Sequence, residues 1–303
     1  MNSGAPSGWQ AVIDIGTNTA LMLVARRRAD GSLEIRDDLA RITRLGEGVA
    51  RTGRLAPAAI ERTLAALRAH REYAARCGAA LQAVATEGVR LASNPGDFLE
   101  PAAALLGAPI RVISGDEEAA LSYRSVALEV AGDAPLRVLD IGGASTELVA
   151  GVGPSIASAM SHKIGSVRLT ESLLAGQDPP SRDGVAAVTR AAREAFARQP
   201  LEPCAALHGL AGTVTTTAAL LLELETYERA RVDGASFSRE QVASLRDRLA
   251  GQTLAERVRT PCLPEGRADV IVAGVAILVA AMEHCGASTL VCRDRGLRYA
   301  LIE

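Results

Sequence analysis

The chain has 303 residues, enough for two compact domains, and its 48% apolar content marks it as a folding rather than a disordered chain. A net charge of −2 excludes bulk attraction to nucleic acid or to a membrane surface. Aromatic residues make up only 3%, so the core is expected to rest on Ala, Leu, Val and Ile. Lys163 is the only lysine, so any anion site must use arginine, backbone N–H groups or a metal. The cysteines, Cys77, Cys204, Cys262, Cys285 and Cys292, are odd in number and have no C-x-x-C spacing. They read as reduced thiols, not as a disulfide framework or a zinc site. The N-terminus has no basic-then-apolar leader, and the apolar run near Val270–Met282 is too short and broken to span a bilayer. The expectation is a soluble cytoplasmic protein.

In chain order, residues 11–15, 20–27 and 33–43 read as three strands joined by the turns "TNT" and "RADGS". A helix follows from Pro57 to Cys77, with proline at a tolerated early position. "LQAVAT" is a short strand, 98–106 a helix, "PIRVI" a strand and 115–129 a helix. The second half begins again with three strands, "LRVLDIGG", "STELVAG" and "SIASAMSH". Helices are expected near 165–174 and 182–197. "AALHGLAG" is a buried strand entering a helix at 213–224. The segment 233–237 reads as a loop, helices fill most of 239–283, "STLVC" is a late strand and the last residues are helical. Each half therefore opens with a three-stranded meander and continues with alternating helices and strands. That is a duplication at domain scale, with domains expected at 1–130 and 131–303, a boundary near Ala131–Pro135 and a cleft between the two. The last helix is expected to pack back on the first domain.

"VIDIGTNTALMLVA" from Val12 is nearly repeated as "VLDIGGASTELVA" from Val138, with Asp14 and Asp140 in the same place. An aspartate ending a buried strand is held rigidly, and Gly16, Gly142 and Gly143 leave room for an anion at the backbone. One copy alone reads better as a tight capped hairpin. Two copies, each opening a half, favour paired phosphate turns, with Asp14 and Asp140 placed to hold a hydrated Mg²⁺. "HGLAGT", His208 to Thr213, takes a strand through Gly209 and Gly212 into a helix start, where backbone N–H groups bind phosphate. In "ISGDEEAALSY", Ser114 and Glu117 fit a capping box and Asp116 suits the helix dipole. Glu118 has no such local task. It is either a base for a water or a solvated first-turn glutamate, and spacing alone favours the latter. Glu147 points to the strand face opposite Leu148, as an acid beside the glycine turn or as a surface residue. Arg90, after a short strand, suits a phosphate oxygen pair or is one more surface arginine. His70, His162, His208 and His284 form no metal spacing.

Nine segments in register extend from Ala11 to Ile302: "AVIDIGTNTALMLVA", "RITRLGEGV", "ATEGVRLASN", "VISGDEEAALSY", "VLDIGGASTELVAG", "IGSVRLTE", "GLAGTVTTTAAL", "RADVIVAGVAIL" and "DRGLRYALI". In that order they resemble the exopolyphosphatase / guanosine pentaphosphate phosphohydrolase family. The resemblance implies an α/β fold of two duplicated ribonuclease-H-like domains, the sugar kinase/Hsp70/actin-like superfold. It implies Glu118 as catalytic base and Glu147 as second catalytic acid, which reverses the reading of Glu118 from spacing. It implies Asp14 and Asp140 as metal-associated, and a phosphate-binding set of Arg90, Gly142, Gly143, Ser145, Gly212, Thr213 and Asn18. The chain departs from the family at Glu87-Gly88, where Ser-Ala is frequent, at Ala144, where a third glycine is usual, and at Cys292-Arg293, where a serine is common. It matches the short, two-domain members.

The expected activity is release of terminal orthophosphate from inorganic polyphosphate, with Mg²⁺ and a Glu118-activated water attacking in line. The alternatives are a guanosine pentaphosphate phosphohydrolase, an actin-like ATPase or sugar kinase, and a non-catalytic polyphosphate or nucleotide sensor. A homodimer is plausible from the family; nucleic acid and membrane are not expected as partners.

Overall fold

The structure, a computed structural model, describes residues 8–130, 132 and 134–302. Ala131 and Asp133 of the expected boundary lie outside the described residues, as do residues 1–7 of the expected leader-free N-terminus. The described residues up to Leu121 and from Leu297 form one compact unit, and Ser122–Gly296 forms the other.

In the first unit the strands are β1 (Gln10–Ile15), β2 (Thr19–Arg27), β3 (Leu33–Ile42), β4 (Ala80–Ala85) and β5 (Ile110–Val112). The helices are α1 (Val49–Thr52), α2 (Pro57–Arg76), α3 (Glu87–Arg90), α4 (Gly96–Leu106) and the start of α5 (Gly115–Ala127). The sheet order is β3-β2-β1-β4-β5. The meander β1-β2-β3 is antiparallel, and β4 and β5 add in parallel beyond β1. Central β1 buries Ala11, Val12 and Ile13 completely. A strand covered on both faces needs this unbroken apolar run rather than alternation. The 3₁₀ turn Leu297–Leu301 packs on β1 and β2, where Tyr299 and Ile302 join Val12, Leu23 and Ala25.

The second unit repeats the plan. Its strands β6 (Pro135–Ile141), β7 (Thr146–Val152), β8 (Ser155–His162) and β9 (Ala206–Leu210) are followed by β10 (Ser236–Ser238) and β11 (Thr289–Cys292). The order is β10-β11-β9-β6-β7-β8, so β6, β7, β8, β9 and β11 take the places of β1 to β5. Even the irregularity is repeated: the meanders shift register between Val24 and Ala25 and between Ala150 and Gly151, at the same remove from Asp14 and Asp140. Two such sheets with helices are the duplicated ribonuclease-H-like, actin-like α/β fold. The segment expected as a loop at 233–237 runs into β10, which takes up its last two residues as an edge strand antiparallel to β11.

The helices of this unit are α6 (Ser166–Leu169), continued by a π turn at Thr170–Leu174, α7 (Arg182–Phe196), α8 (Ala211–Leu221), α9 (Arg229–Val232), α10 (Arg239–Ala250), α11 (Leu254–Val258), α12 (Glu265–Ala268) and α13 (Ile271–His284). In α13 every residue from Ile271 to Met282 is buried, and the helix packs against α6, α7, α8 and α10. A helix apolar on all sides belongs in the middle of a core. Among the described residues no helix is long and apolar enough to cross a membrane.

Candidate active site

In open α/β sheets, ligands bind beyond the carboxyl ends of the parallel strands. The expected site residues of each unit can be traced from that edge.

In the first unit β1, β4 and β5 end together: Thr86 N–H donates to Ile15 O at 3.2 Å and Ile113 N–H to Ala85 O at 3.0 Å. Asp14 lies in register with Leu21 on β2 and Val84 on β4. The turn after it closes through Gly16 N–H to Thr19 O at 3.0 Å. Thr17 is buried between two glycines. A Cβ at Gly46 would lie 2.3 Å from its Cγ2, and one at Gly88 would lie 2.8 Å from its Oγ1. Asn18 is fixed through its carbonyl, which accepts the N–H groups of Thr43 (2.9 Å) and Arg44 (3.0 Å).

Arg90 lies on the four-residue helical turn α3, which the sequence reading did not anticipate. Its guanidinium donates to Ile113 O and is ion-paired with Glu87, while Glu118 Oε2 lies 3.9 Å from Nη1. Glu118 is 8% exposed, so the solvated first-turn glutamate favoured by spacing is not what the structure shows. The expected capping box forms by half. Ser114 Oγ accepts Glu117 N–H at 3.1 Å, but the Glu117 carboxylate is ion-paired with Arg111.

In the second unit Asp140 and Glu147 stand directly opposite each other on antiparallel β6 and β7. Residues so paired share a sheet face with Cβ atoms roughly 5 Å apart, and like charges there repel. Each accepts one serine hydroxyl at 2.7 Å, Asp140 from Ser122 and Glu147 from Ser161. Glu147 is 1% exposed, which rules out the surface-residue alternative. Two adjacent carboxylates are hard oxygen donors and fit a hydrated divalent cation. The glycine turn after Asp140 closes through Gly142 N–H to Ser145 O at 3.0 Å, with Ser145 buried. The start of α6 braces it: Ser166 N–H donates to Gly142 O, and the N–H groups of Val167 and Arg168 to Gly143 O. Gly165 permits that contact, since a Cβ there would fall 2.4 Å from Gly143 O.

Next to β6, strand β9 runs into α8 through Ala211, which has a positive φ of 65°. The N-cap residue Leu210 makes no side-chain cap, which leaves the first-turn N–H groups of Gly212 and Thr213 for another acceptor. The sequence reading missed the partner of this helix start. A Cβ on Gly212 would lie 2.3 Å from Nη2 of Arg267, whose Nη1 donates to Thr216 Oγ1 at 2.8 Å. Arg267 is half-buried, and burial lowers its pKa against the fields of Tyr227 and Asp294. Such a group is favoured by an anionic partner. The available signal was "RADVIVAGVAIL", where Arg267 lies just ahead of a long apolar run. His208 on β9 accepts from Arg293 Nε at 3.3 Å. Its pKa is lowered to about 4 by burial and then by Arg293, so it is a neutral ring near pH 7. Among the described residues no group of three or more His, Cys, Asp or Glu gathers as a metal cluster.

Comparison with known proteins agrees with this architecture. The model of the Ppx/GppA phosphatase family matches residues 23–302. Exopolyphosphatase 2 of Mycobacterium tuberculosis is 38% identical over 286 residues, covering 88% of this chain and 88% of that protein. A crystal structure of the Aquifex aeolicus member of the Ppx/GppA family is 32% identical, with a TM-score of 0.81 over 97% of this chain and 96% of that one. An exopolyphosphatase-like protein of known crystal structure is 30% identical, with a TM-score of 0.90 over 97% of each chain. The fold is thus that of an actin-like phosphatase, and the chain belongs to the Ppx/GppA phosphatase family. As a member it is a hydrolase of phosphoric anhydrides.

Proposed function

We propose that the protein is an exopolyphosphatase that removes the terminal phosphoryl group of inorganic polyphosphate. The observation that carries this reading is Glu118, a buried carboxylate 3.9 Å from Arg90 at the carboxyl edge of the first sheet. A base for water and a cation for phosphate oxygens are thereby side by side. The 38% identity to a protein named exopolyphosphatase supports polyphosphate as the substrate.

In this reading the phosphate-binding groups are Arg90 and Asn18 in the first unit, and in the second the Gly142–Ser145 turn and the Gly212–Thr213 helix start with Arg267. Glu118 accepts a proton from the attacking water as its oxygen bonds to phosphorus. The P–O bond to the rest of the chain breaks, and the shortened chain leaves with the bridging oxygen. Positioning and electrostatics supply most of the rate in such transfers. Asp14, Asp140 and Glu147 are the residues that would hold Mg²⁺. When bound, the ion offsets charge on the transferred group.

The test is orthophosphate release with Mg²⁺ from long and short polyphosphate, guanosine pentaphosphate and ATP, with Glu118→Gln in parallel. Loss of a general base costs ~10²–10⁴-fold in rate. Polyphosphate cleavage that drops by this amount in a folded variant supports the reading. Release from guanosine pentaphosphate alone moves the substrate to the nucleotide, and full activity in Glu118→Gln removes the base assignment.

A further inference from the structure

Glu87 has no part in the chemistry above, yet it is 6% exposed and holds the guanidinium assigned to phosphate. It opens α3 and is ion-paired with Arg90 three residues on. Its placement is built in. Gly88 lets α3 approach Thr17 where a Cβ would fall 2.8 Å from the hydroxyl oxygen. The polar groups facing Arg90 are thus the Glu87 carboxylate in contact, the Ile113 carbonyl in contact and the Glu118 carboxylate at 3.9 Å. Two carboxylates and one guanidinium give the cluster a formal charge of −1. An arginine–carboxylate pair uses the same donor fork that binds a phosphate oxygen pair.

We propose that Glu87 tunes affinity at the phosphate site, as an internal competitor that occupies Arg90 until a phosphate oxygen displaces it. The proposal rests on the exopolyphosphatase reading and deepens it. An anion held mainly by Arg90, such as the orthophosphate product, gains little against a carboxylate already in place. A polyphosphate end, gripped elsewhere by further phosphates, keeps its other contacts while it displaces Glu87. The residue therefore lowers the affinity of every anion that must take Arg90, which weakens product inhibition by orthophosphate, while a longer chain still binds through its further contacts.

The decisive variant is Glu87→Gln, which keeps size and an acceptor oxygen but removes the charge. Orthophosphate should bind about tenfold or more tightly to Glu87→Gln by titration calorimetry. In turnover, KM for short polyphosphate and the orthophosphate inhibition constant should fall together while kcat stays within about threefold. In an Arg90→Gln background the same change should leave orthophosphate affinity unaltered, because the competition is gone. Circular dichroism melting reports whether each variant is folded, and Glu87→Ser serves as the second variant if the glutamine is not. A purely orienting role for Glu87 predicts weaker orthophosphate binding in Glu87→Gln; that result, or unchanged affinity, overturns the proposal. The calorimetry needs no turnover, so a wild-type protein inactive on every polyphosphate refutes the exopolyphosphatase reading while the Glu87 comparison still gives its own answer.

Discussion

Gly212→Ala tests the helix-start anion site through one methyl group. The new Cβ would sit 2.3 Å from Arg267 Nη2, 2.5 Å from Cζ and 2.9 Å from Nη1. Ordinary carbon contacts begin near ~3.5 Å, so the guanidinium must withdraw by about 1 Å or more. The obstacle is the end of a flexible side chain, so the backbone can stay in place. Withdrawal breaks the 2.8 Å bond to Thr216 Oγ1, and a hydrogen bond of a charged group contributes about 1.5–3 kcal/mol. Replacing glycine by alanine within a helix returns up to ~1 kcal/mol. The net loss is about 0.5–2 kcal/mol, which for a domain of this size is only a few degrees in melting temperature. Anion affinity should suffer more. Removing one charged donor from reach costs ~10–100-fold, with no offset from helix propensity. Calorimetric titration of tripolyphosphate into wild type, Gly212→Ala, Arg267→Ala and the double variant measures this directly. The two single variants should weaken binding alike, and the double variant should add little. Wild-type affinity in Gly212→Ala, with the small melting shift present, would show that Arg267 does not serve the anion and would refute the reasoning.

Two further outcomes are expected. The opposed Asp140–Glu147 pair should make stability depend on Mg²⁺: at a hundredfold excess over Kd, binding to the folded state adds about 2.7 kcal/mol. Melting with and without Mg²⁺ should therefore show a rise in wild type and much less in Asp140→Asn or Glu147→Gln; an equal rise in all three would place the ion elsewhere. Acidification should destabilise the protein through its buried imidazoles. Burial lowers the pKa of His70 and His162 below 6.5 and, with Arg293, that of His208 to about 4. Between those values the unfolded chain binds more protons, so stability is full above pH 6.5 and falls as pH drops towards 4. Urea melts across that range should show a shallower pH slope in His208→Gln, and an unchanged slope would assign the acid sensitivity to other groups.

The framework was legible because its signals are local. Hairpin alternation, turn residues and a repeated D-I-G fixed the meanders, and proline at a helix start with apolar periodicity fixed α2. What escaped was short or tertiary. Strand β10 is three residues with one buried side chain, Phe237, and it exists as a strand only because β11 pairs with it. The turns α1 and α3 are four residues long, too short to display a helical period. Glu147 alternates as a half-exposed strand residue should, but its strand lies between β6 and β8 and is buried on both faces from Thr146 to Gly151. Burial of an acid is set by what packs over it, which spacing does not encode. Arg267 and Gly212 meet only through the fold, so the glycine read as anion access also makes room for a guanidinium.

The duplication also shows where the two units diverged. The registers Asp14↔Leu21 and Asp14↔Val84 in the first sheet have their counterparts in Asp140↔Glu147 and Asp140↔Leu210 in the second. At the position facing the strand aspartate, one unit has leucine and the other glutamate. Across the hairpin Asp14 faces an apolar side chain and lies in the field of Arg298, whereas Asp140 faces a second carboxylate, a repelling pair that a divalent cation would relieve. The first unit instead places its charges on the segments after β4 and β5, as Glu87, Arg90 and Glu118. A shared backbone plan thus yields two facing carboxylates at the sheet edge in one unit and an arginine held between carboxylates in the other. The exchange that separates them is one side chain on the second strand of each meander, so if the pair holds the proposed Mg²⁺, Glu147→Leu, which recreates the pairing of the first unit, should remove the Mg²⁺-dependent rise in melting temperature while keeping the hairpin.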